Sequence, residues 1–219
     1  VKDLFPVTPR KMLNYSFLQL FISNGADKLV SSIISNNTID LSNLRINEDI
    51  QGSNTFAFNN NKTKNGETYL AINTHQPLDG PNSWYEVHLN SEEGTNILGA
   101  TFAGAPCVLT GVNEHLAWTH TVNYPDKADL FKLKMHDSKK NIYIVDNKEY
   151  KLEKHKAKLK YRILGINISI YKTYYKSIFG PTLKNKSGYY SVRTPSLYNI
   201  KALEQWWRMN KATSFSEFY

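Results

Sequence analysis

The order of hydrophobic periods along the chain predicts an α+β fold: helix first, then a long series of short strands, then helix again. Three observations carry this. Apolar residues recur at three- and four-residue spacing over residues 10–35, the pattern changes to strand-like runs after residue 52, and helical spacing returns after residue 200.

The first helical region places Met12, Leu13, Phe17, Leu20 and Phe21 on one side, and a second short run covers Ala26 to Ile34. Residues 36–52 are polar, unpatterned and free of aromatics, which reads as an exposed linker of the kind that proteases cut. From Ser53 onward, Thr55 to Phe58 and Thr68 to Ile72 read as a hairpin with Asn65-Gly66 at its turn. Trp84 to Leu89, Ile97 to Phe102, Val108 to Thr110 and Ala117 to Val122 are the next strands. Residues 130–178 read as antiparallel hairpins turning at Asp137-Ser138, Asp146-Asn147 and Gly165. The last helix carries Leu203, Trp206 and Trp207 on an apolar side, with Ser214 placed to cap a following helix.

Composition is that of a globular protein, 41% hydrophobic and 13% aromatic over 219 residues, with no apolar run long enough to span a bilayer. Val1-Lys2-Asp3-Leu4 does not read as a signal peptide, and the sequence reads as an internal piece of a longer precursor. The single cysteine, Cys107, excludes an intrachain disulfide and a multi-cysteine metal site, and its apolar neighbours predict a buried thiol. The net charge of +8 is uneven: Lys132 to Lys186 carries fourteen Lys and one Arg against four acids. Those lysines alternate with apolar residues and arginine is nearly absent, the pattern of solvated strand faces rather than of a nucleic-acid surface.

The chemistry concentrates between Gly52 and Val122. Gly52-Ser53-Asn54 is followed by Leu70-Ala71-Ile72-Asn73-Thr74-His75-Gln76-Pro77, by Trp84-Tyr85-Glu86-Val87-His88-Leu89, and by Gly111-Val112-Asn113-Glu114-His115-Leu116-Ala117-Trp118-Thr119-His120-Thr121-Val122. A serine hydroxyl needs a base. No Gly-x-Ser-x-Gly elbow surrounds Ser53, and no acid is placed to complete a triad with His75, His88, His115 or His120. An alternative base is the serine's own α-amino group, whose ordinary pKa of about 7.7–8.0 lies near working pH, although the triplet by itself also reads as an ordinary turn before a strand. That amine exists only once Gly52–Ser53 is cleaved.

In order and spacing these segments resemble the start of the catalytic chain in the penicillin acylase family of N-terminal nucleophile hydrolases, and within it the acyl-homoserine lactone acylases. The resemblance implies an αββα sandwich assembled from a larger precursor. It divides the chain into the end of a small chain (1–35), a spacer (36–52) and the N-terminal part of the large catalytic chain (53–219). It makes Gly52–Ser53 the processing bond, Ser53 the nucleophile and His75 the residue that positions the serine and its amine. It gives the backbone N–H of Val122 one half of an oxyanion hole, whose second donor, an asparagine, falls beyond Tyr219. The acyl pocket positions of the family fall on Gln76, Phe102 and Leu109. No cofactor is implied; several relatives bind a structural calcium, for which Asp126 and Asp129 are the only candidates. Phe179-Gly180-Pro181-Thr182 resembles a further family segment. Two departures are plain: Asn73-Thr74-His75 replaces the commoner form with proline before the histidine, and Ala103 stands where proline is usual.

The expected partner is a small N-acylated amide, with N-acyl-homoserine lactones before β-lactams or acylated peptides, together with the rest of the precursor as a heterodimer. No nucleic acid and no membrane span are expected. Family members are exported, which places the protein in the periplasm or beyond. The alternative reading is a binding or structural protein that keeps the fold without catalysis.

Overall fold

The fold was obtained as a computed structural model and is described for residues 5–35, 39, 52–123, 125–199 and 201–219. In chain order the elements are α1 (Pro9–Ser23), α2 (Ala26–Ser35), β1 (Ser53–Phe58), β2 (Tyr69–Thr74), β3 (Trp84–Ser91), β4 (Thr95–Phe102), β5 (Thr110–Asn113) and β6 (Ala117–Trp118). They continue with β7 (Asp129–Lys132), β8 (Lys134–Met135), β9 (Ile142–Val145), β10 (Lys148–Lys151), β11 (Glu153–Ile163), β12 (Ile166–Lys176), β13 (Pro181–Asn185) and β14 (Gly188–Arg193). Two helices close the chain, α3 (Lys201–Lys211) and α4 (Phe215–Phe218). Every strand pairing is antiparallel, and the α+β class is the one observed.

The chain divides into two compact units. The first holds α1, the β1–β2 hairpin, the sheet β3-β4-β5-β6, α3 and α4. Its core is Ile97, Val108, Trp118 and Met209, with Val87, Leu116, Trp206 and Phe218 packed around them. Gly99 on β4 lies directly opposite Gly111 on β5, and a Cβ on Gly99 would stand 2.7 Å from the Gly111 Cα and 2.2 Å from the Thr110 carbonyl oxygen. Only glycine lets these strands lie so close.

The second unit holds α2, the three-stranded sheet β10-β9-β8 and the five-stranded sheet β11-β12-β13-β14-β7. Leu133, Tyr143 and Leu152 form its core, and Phe131 stacks on Phe179 at 4.2 Å. Gly180 sits at φ +144°, where a Cβ would meet the Val192 carbonyl oxygen at 2.3 Å. That close approach accounts for the glycine in Phe179-Gly180-Pro181-Thr182. Asp146 and Asn147, both at positive φ, make the tight turn between β9 and β10, and Leu164-Gly165 make the one between β11 and β12.

Several sequence expectations need correction. The first hairpin is not closed by a two-residue Asn-Gly turn; ten residues separate β1 from β2, with a 3-10 turn at Asn60–Lys62, and Gly66 supplies one positive-φ position within the loop. The strand expected at Val108 to Thr110 starts only at Thr110, because the Val108 N–H and C=O are both taken by the Asn210 side chain. The one expected over Ala117 to Val122 stops at Trp118: its partner β5 begins at Thr110, so no strand remains for the chain to pair with. On α1 the buried residues are Ser16 and Gln19 rather than the apolar stripe, since the Gln19 amide donates to the carbonyls of Pro81 (2.8 Å) and Ala103 (3.3 Å). On α3 the inward row runs Leu203, Trp206, Met209; Trp207 lies one position round the helix, exposed, with the Lys211 ammonium 5.4 Å from its ring. The expected cap holds, Ser214 Oγ accepting from the Glu217 N–H. Of the spacer 36–52, only residues 39 and 52 fall within the described residues.

Candidate active site

Ser53 begins β1 and is paired in register with Thr74, the last residue of β2. The pairing puts His75 beside Ser53, although the two are far apart in sequence. The His75 backbone N–H points at Ser53 Oγ across 3.4 Å, and Ser53 Oγ donates to the Gly52 carbonyl at 2.6 Å. The His75 imidazole lies near Gly52 and Asn54: its Nδ1 is 3.8 Å from where a Cβ on Gly52 would stand, and its Nε2 is 3.3 Å from Asn54 Nδ2. Gly52, Ser53, Asn54 and His75 thus form one cluster at the end of the hairpin. Among the described residues no imidazole nitrogen or carboxylate bonds to Ser53 Oγ.

An open cleft of about 660 Å³ lies between this hairpin and the four-stranded sheet. Leu70, Ile72 and Thr74, alternate residues of β2, form one wall; Trp84, Leu98 and Val112 stand on the other, over a floor that includes Gly99 and Gly111. One carboxylate, Glu86, also lines it. Thr74 is both a lining residue and the register partner of Ser53, so the cleft opens beside the serine. The indole N–H of Trp84 is buried with no acceptor among the described residues.

The remaining candidates are spread more widely. Gln76 follows His75 and is half-buried. Phe102 stacks on Trp84 at 4.7 Å, one ring back from the cleft. Leu109 is buried, and its carbonyl accepts from the Trp118 indole at 3.2 Å. None of these three is among the cleft's lining residues, whose signal in the sequence was the alternation of Leu70, Ile72 and Thr74. Val122 is half-buried in the irregular segment after β6. That segment is anchored at His120, whose Nε2 accepts from the Trp206 indole N–H at 3.0 Å, the two rings meeting edge to face. Desolvation of the ring against its neighbours lowers the His120 pKa, an effect partly offset by a hydrogen bond to the Leu109 carbonyl.

Cys107 is buried, and burial pushes its thiol up to about 11. It is an inert core residue rather than a nucleophile. Asp126 and Asp129 are both exposed, and Asp126 accepts from the Ala128 N–H at 3.5 Å. Calcium takes six to eight oxygens. Among the described residues there is no group of three or more His, Cys, Asp or Glu side chains that could hold a metal ion.

The site thus sets a serine against a glycine carbonyl, with a histidine beside it and an apolar cleft alongside. A sequence model of the penicillin amidase family matches residues 1–219. The acyl-homoserine lactone acylase PvdQ of Pseudomonas fluorescens is 30% identical over 175 residues, which cover 76% of this chain and 22% of that protein. The aculeacin-A acylase of Actinoplanes utahensis is 24% identical over 171 residues, covering 74% and 21%. Among solved structures, a thermostable penicillin G acylase from Alcaligenes faecalis superposes with a TM-score of 0.58 at 25% identity, over 74% of this chain and 29% of that one. The chain therefore spans about a fifth of the length of these curated relatives. With the family match running from the first residue to the last, the chain belongs to the penicillin amidase family.

Proposed function

We propose that the protein to which this chain belongs is a self-processing acylase that hydrolyses the amide of N-acylated small molecules, with Ser53 as its N-terminal nucleophile. The observation that carries this reading is the placement of Ser53 Oγ at 2.6 Å from the Gly52 carbonyl oxygen, within the cluster that includes His75. An oxygen held there is near the carbonyl carbon of the bond that must break. Attack by Oγ on that carbon, with transfer of the hydroxyl proton to the departing nitrogen, converts the amide into an ester and frees the Ser53 amine. Water then hydrolyses the ester and releases Gly52 as a carboxylic acid.

The freed amine is the base, a role that no side chain among the described residues fills. It takes the Ser53 hydroxyl proton as Oγ attacks the substrate amide and delivers that proton to the leaving amine. It then activates the water that releases the acyl group. In this reading the His75 N–H fixes the hydroxyl, and the Val122 N–H supports the negative charge on the carbonyl oxygen. Residues up to 35 belong to the small chain, 36–52 to the excised spacer and those from Ser53 to the large chain. The two mature chains form a heterodimer, and the site is finished by residues of the large chain outside this sequence.

The cleft beside Ser53 suits an apolar acyl group, seated between Leu70, Ile72 and Leu98. Supported by the name of the acyl-homoserine lactone acylase relative, N-acyl-homoserine lactones come first as substrates, with β-lactams or acylated peptides next, and a periplasmic or secreted location is part of the same proposal. The test is release of homoserine lactone from a series of N-acyl-homoserine lactones by the complete protein and by its Ser53→Ala and Ile72→Trp variants. The reading predicts turnover by the wild type, none by Ser53→Ala, and a preference for shorter acyl chains in Ile72→Trp. Equal turnover by Ser53→Ala would remove the serine from the mechanism.

A further inference from the structure

The longest hairpin among the described residues has no role in the proposed chemistry. Strands β11 and β12 pair over eleven positions, from Glu153↔Lys176 to Ile163↔Ile166. Only its base belongs to the five-stranded sheet, because β12 meets β13 solely at Tyr175↔Thr182 and Lys176↔Pro181. Every residue from 158 to 174 is exposed. At about 3.3 Å per residue, the free part extends roughly 20 Å from the sheet. A two-stranded ribbon that the described residues leave bare on both faces is marginal in water, so it is expected to rest on a surface, either the remainder of the protein or an external partner.

The register sorts its side chains. Leu159, Tyr161 and Ile163 lie opposite Ile170, Ile168 and Ile166 on one face. Lys154, Lys156, Lys158, Lys160 and Arg162 share the other face. Between residues 153 and 176 seven basic residues stand against one acid, Glu153, at the base. The apolar character is strongest at the end: Leu164 is 98% exposed, Ile166 67% and Ile163 54%. Leu164 occupies a turn position at φ +48°, where asparagine, aspartate or glycine is the ordinary choice. A leucine there gains nothing inside the hairpin, because it projects past the ends of both strands.

We propose that this hairpin is a membrane-surface anchor, with residues 163–166 entering the interface of an anionic bilayer. The partner is identified by charge complementarity along the ribbon. An apolar tip suits the acyl boundary, Tyr161 stands just above it between Arg162 and Lys160, and Lys158 lies farther up opposite Tyr171, so that the long cationic side chains reach the phosphate headgroups. A sheet face packed on protein carries its apolar residues along its whole length. This one concentrates them distally, includes the turn itself, and pairs them with a cationic row that has no acid in it. Such an anchor touches one leaflet and spans nothing.

The experiment is co-sedimentation of the complete protein with vesicles of mixed phosphatidylglycerol and phosphatidylcholine, beside vesicles of phosphatidylcholine alone. The expected result is binding to the anionic vesicles only, weakening as NaCl rises from about 0.1 M to about 0.5 M. The double variant Leu164→Asp, Ile166→Asp loses about tenfold or more of that binding. The triple variant Lys158→Gln, Lys160→Gln, Arg162→Gln weakens it and flattens its salt dependence. These positions are exposed, so unchanged circular dichroism is expected for both. Failure of the wild type to sediment overturns the proposal. So does equal binding by the tip variant, and so does a preference for duplex DNA that survives the tip substitutions, which would assign the cationic face to nucleic acid. Amide hydrogen exchange supplies an independent arm. Fast exchange over residues 160–170 without vesicles, slowed by anionic vesicles, supports the anchor; slow exchange without them shows that the protein's own chain covers the ribbon and overturns it.

Discussion

The side-chain amide of Asn210 closes two hydrogen bonds onto the backbone of Val108: the Val108 N–H donates to Asn210 Oδ1 at 2.8 Å, and Asn210 Nδ2 donates to the Val108 carbonyl at 2.7 Å. Val108 is fully buried, so these groups have no water to turn to. Helix α3 is thereby fixed against the segment that leads into β5, and Asn113 adds a bond from its Nδ2 to the Ala212 carbonyl at 2.9 Å. Asn210→Ala leaves a buried N–H and a buried C=O unpaired at about 1–3 kcal/mol each. We expect a loss of roughly 2–4 kcal/mol, read as a lowered midpoint of chemical unfolding. A change within error would show that the pair is replaceable.

The Gly99–Gly111 contact makes a sharper steric prediction. A methyl group on Gly99 meets backbone on two sides and the Val108 side chain at 2.7 Å, none of which is the free end of a flexible chain. Gly99→Ala should cost about 1–3 kcal/mol as overpacking. Because Gly99 lines the floor of the cleft, turnover of long acyl substrates should fall more than that of short ones. Wild-type stability and an unchanged substrate profile would contradict the packing described.

His120 gives a pH dependence with a definite sign. Its pKa is lowered in the folded protein, so the unfolded chain takes up its proton first as pH falls. The stability it contributes is present above its ordinary pKa of about 6.5 and declines below that value, through the lowered folded pKa. Protonation also turns Nε2 from an acceptor into a donor and breaks the bond from Trp206. Thermal unfolding at pH 8 and pH 5.5 (both about, chosen to bracket that pKa) should therefore show a larger loss for the wild type than for His120→Gln. Parallel losses would mean that His120 is not the group responsible.

Much of this was legible in the sequence because local chemistry and fold agree. Gly25 breaks the helical region where the periodicity pauses, Asp146-Asn147 and Leu164-Gly165 take positive φ where turns were expected, and Ser214 caps α4. Two of the failures share a cause: a side chain from far along the sequence takes a backbone group that a local pattern assigns to a strand or an apolar face. Asn210 does so to Val108, and Gln19 to Pro81 and Ala103. Periodicity does not register such bonds. The same holds at the site. The Ser53–His75 juxtaposition was implied by the family resemblance, whereas the cleft lining, drawn from β2, β3, β4, β5 and β6, depends on how the hairpin faces the sheet.

The central claim is that Ser53 becomes the first residue of a catalytic chain. The direct measurement is intact mass and N-terminal sequencing of the complete protein beside its Ser53→Ala variant. The account predicts a wild-type large chain that begins at Ser53 and a variant that stays whole. If both remain uncut while folded, the free amine never forms, and a binding protein built on the acylase fold takes the place of the enzyme.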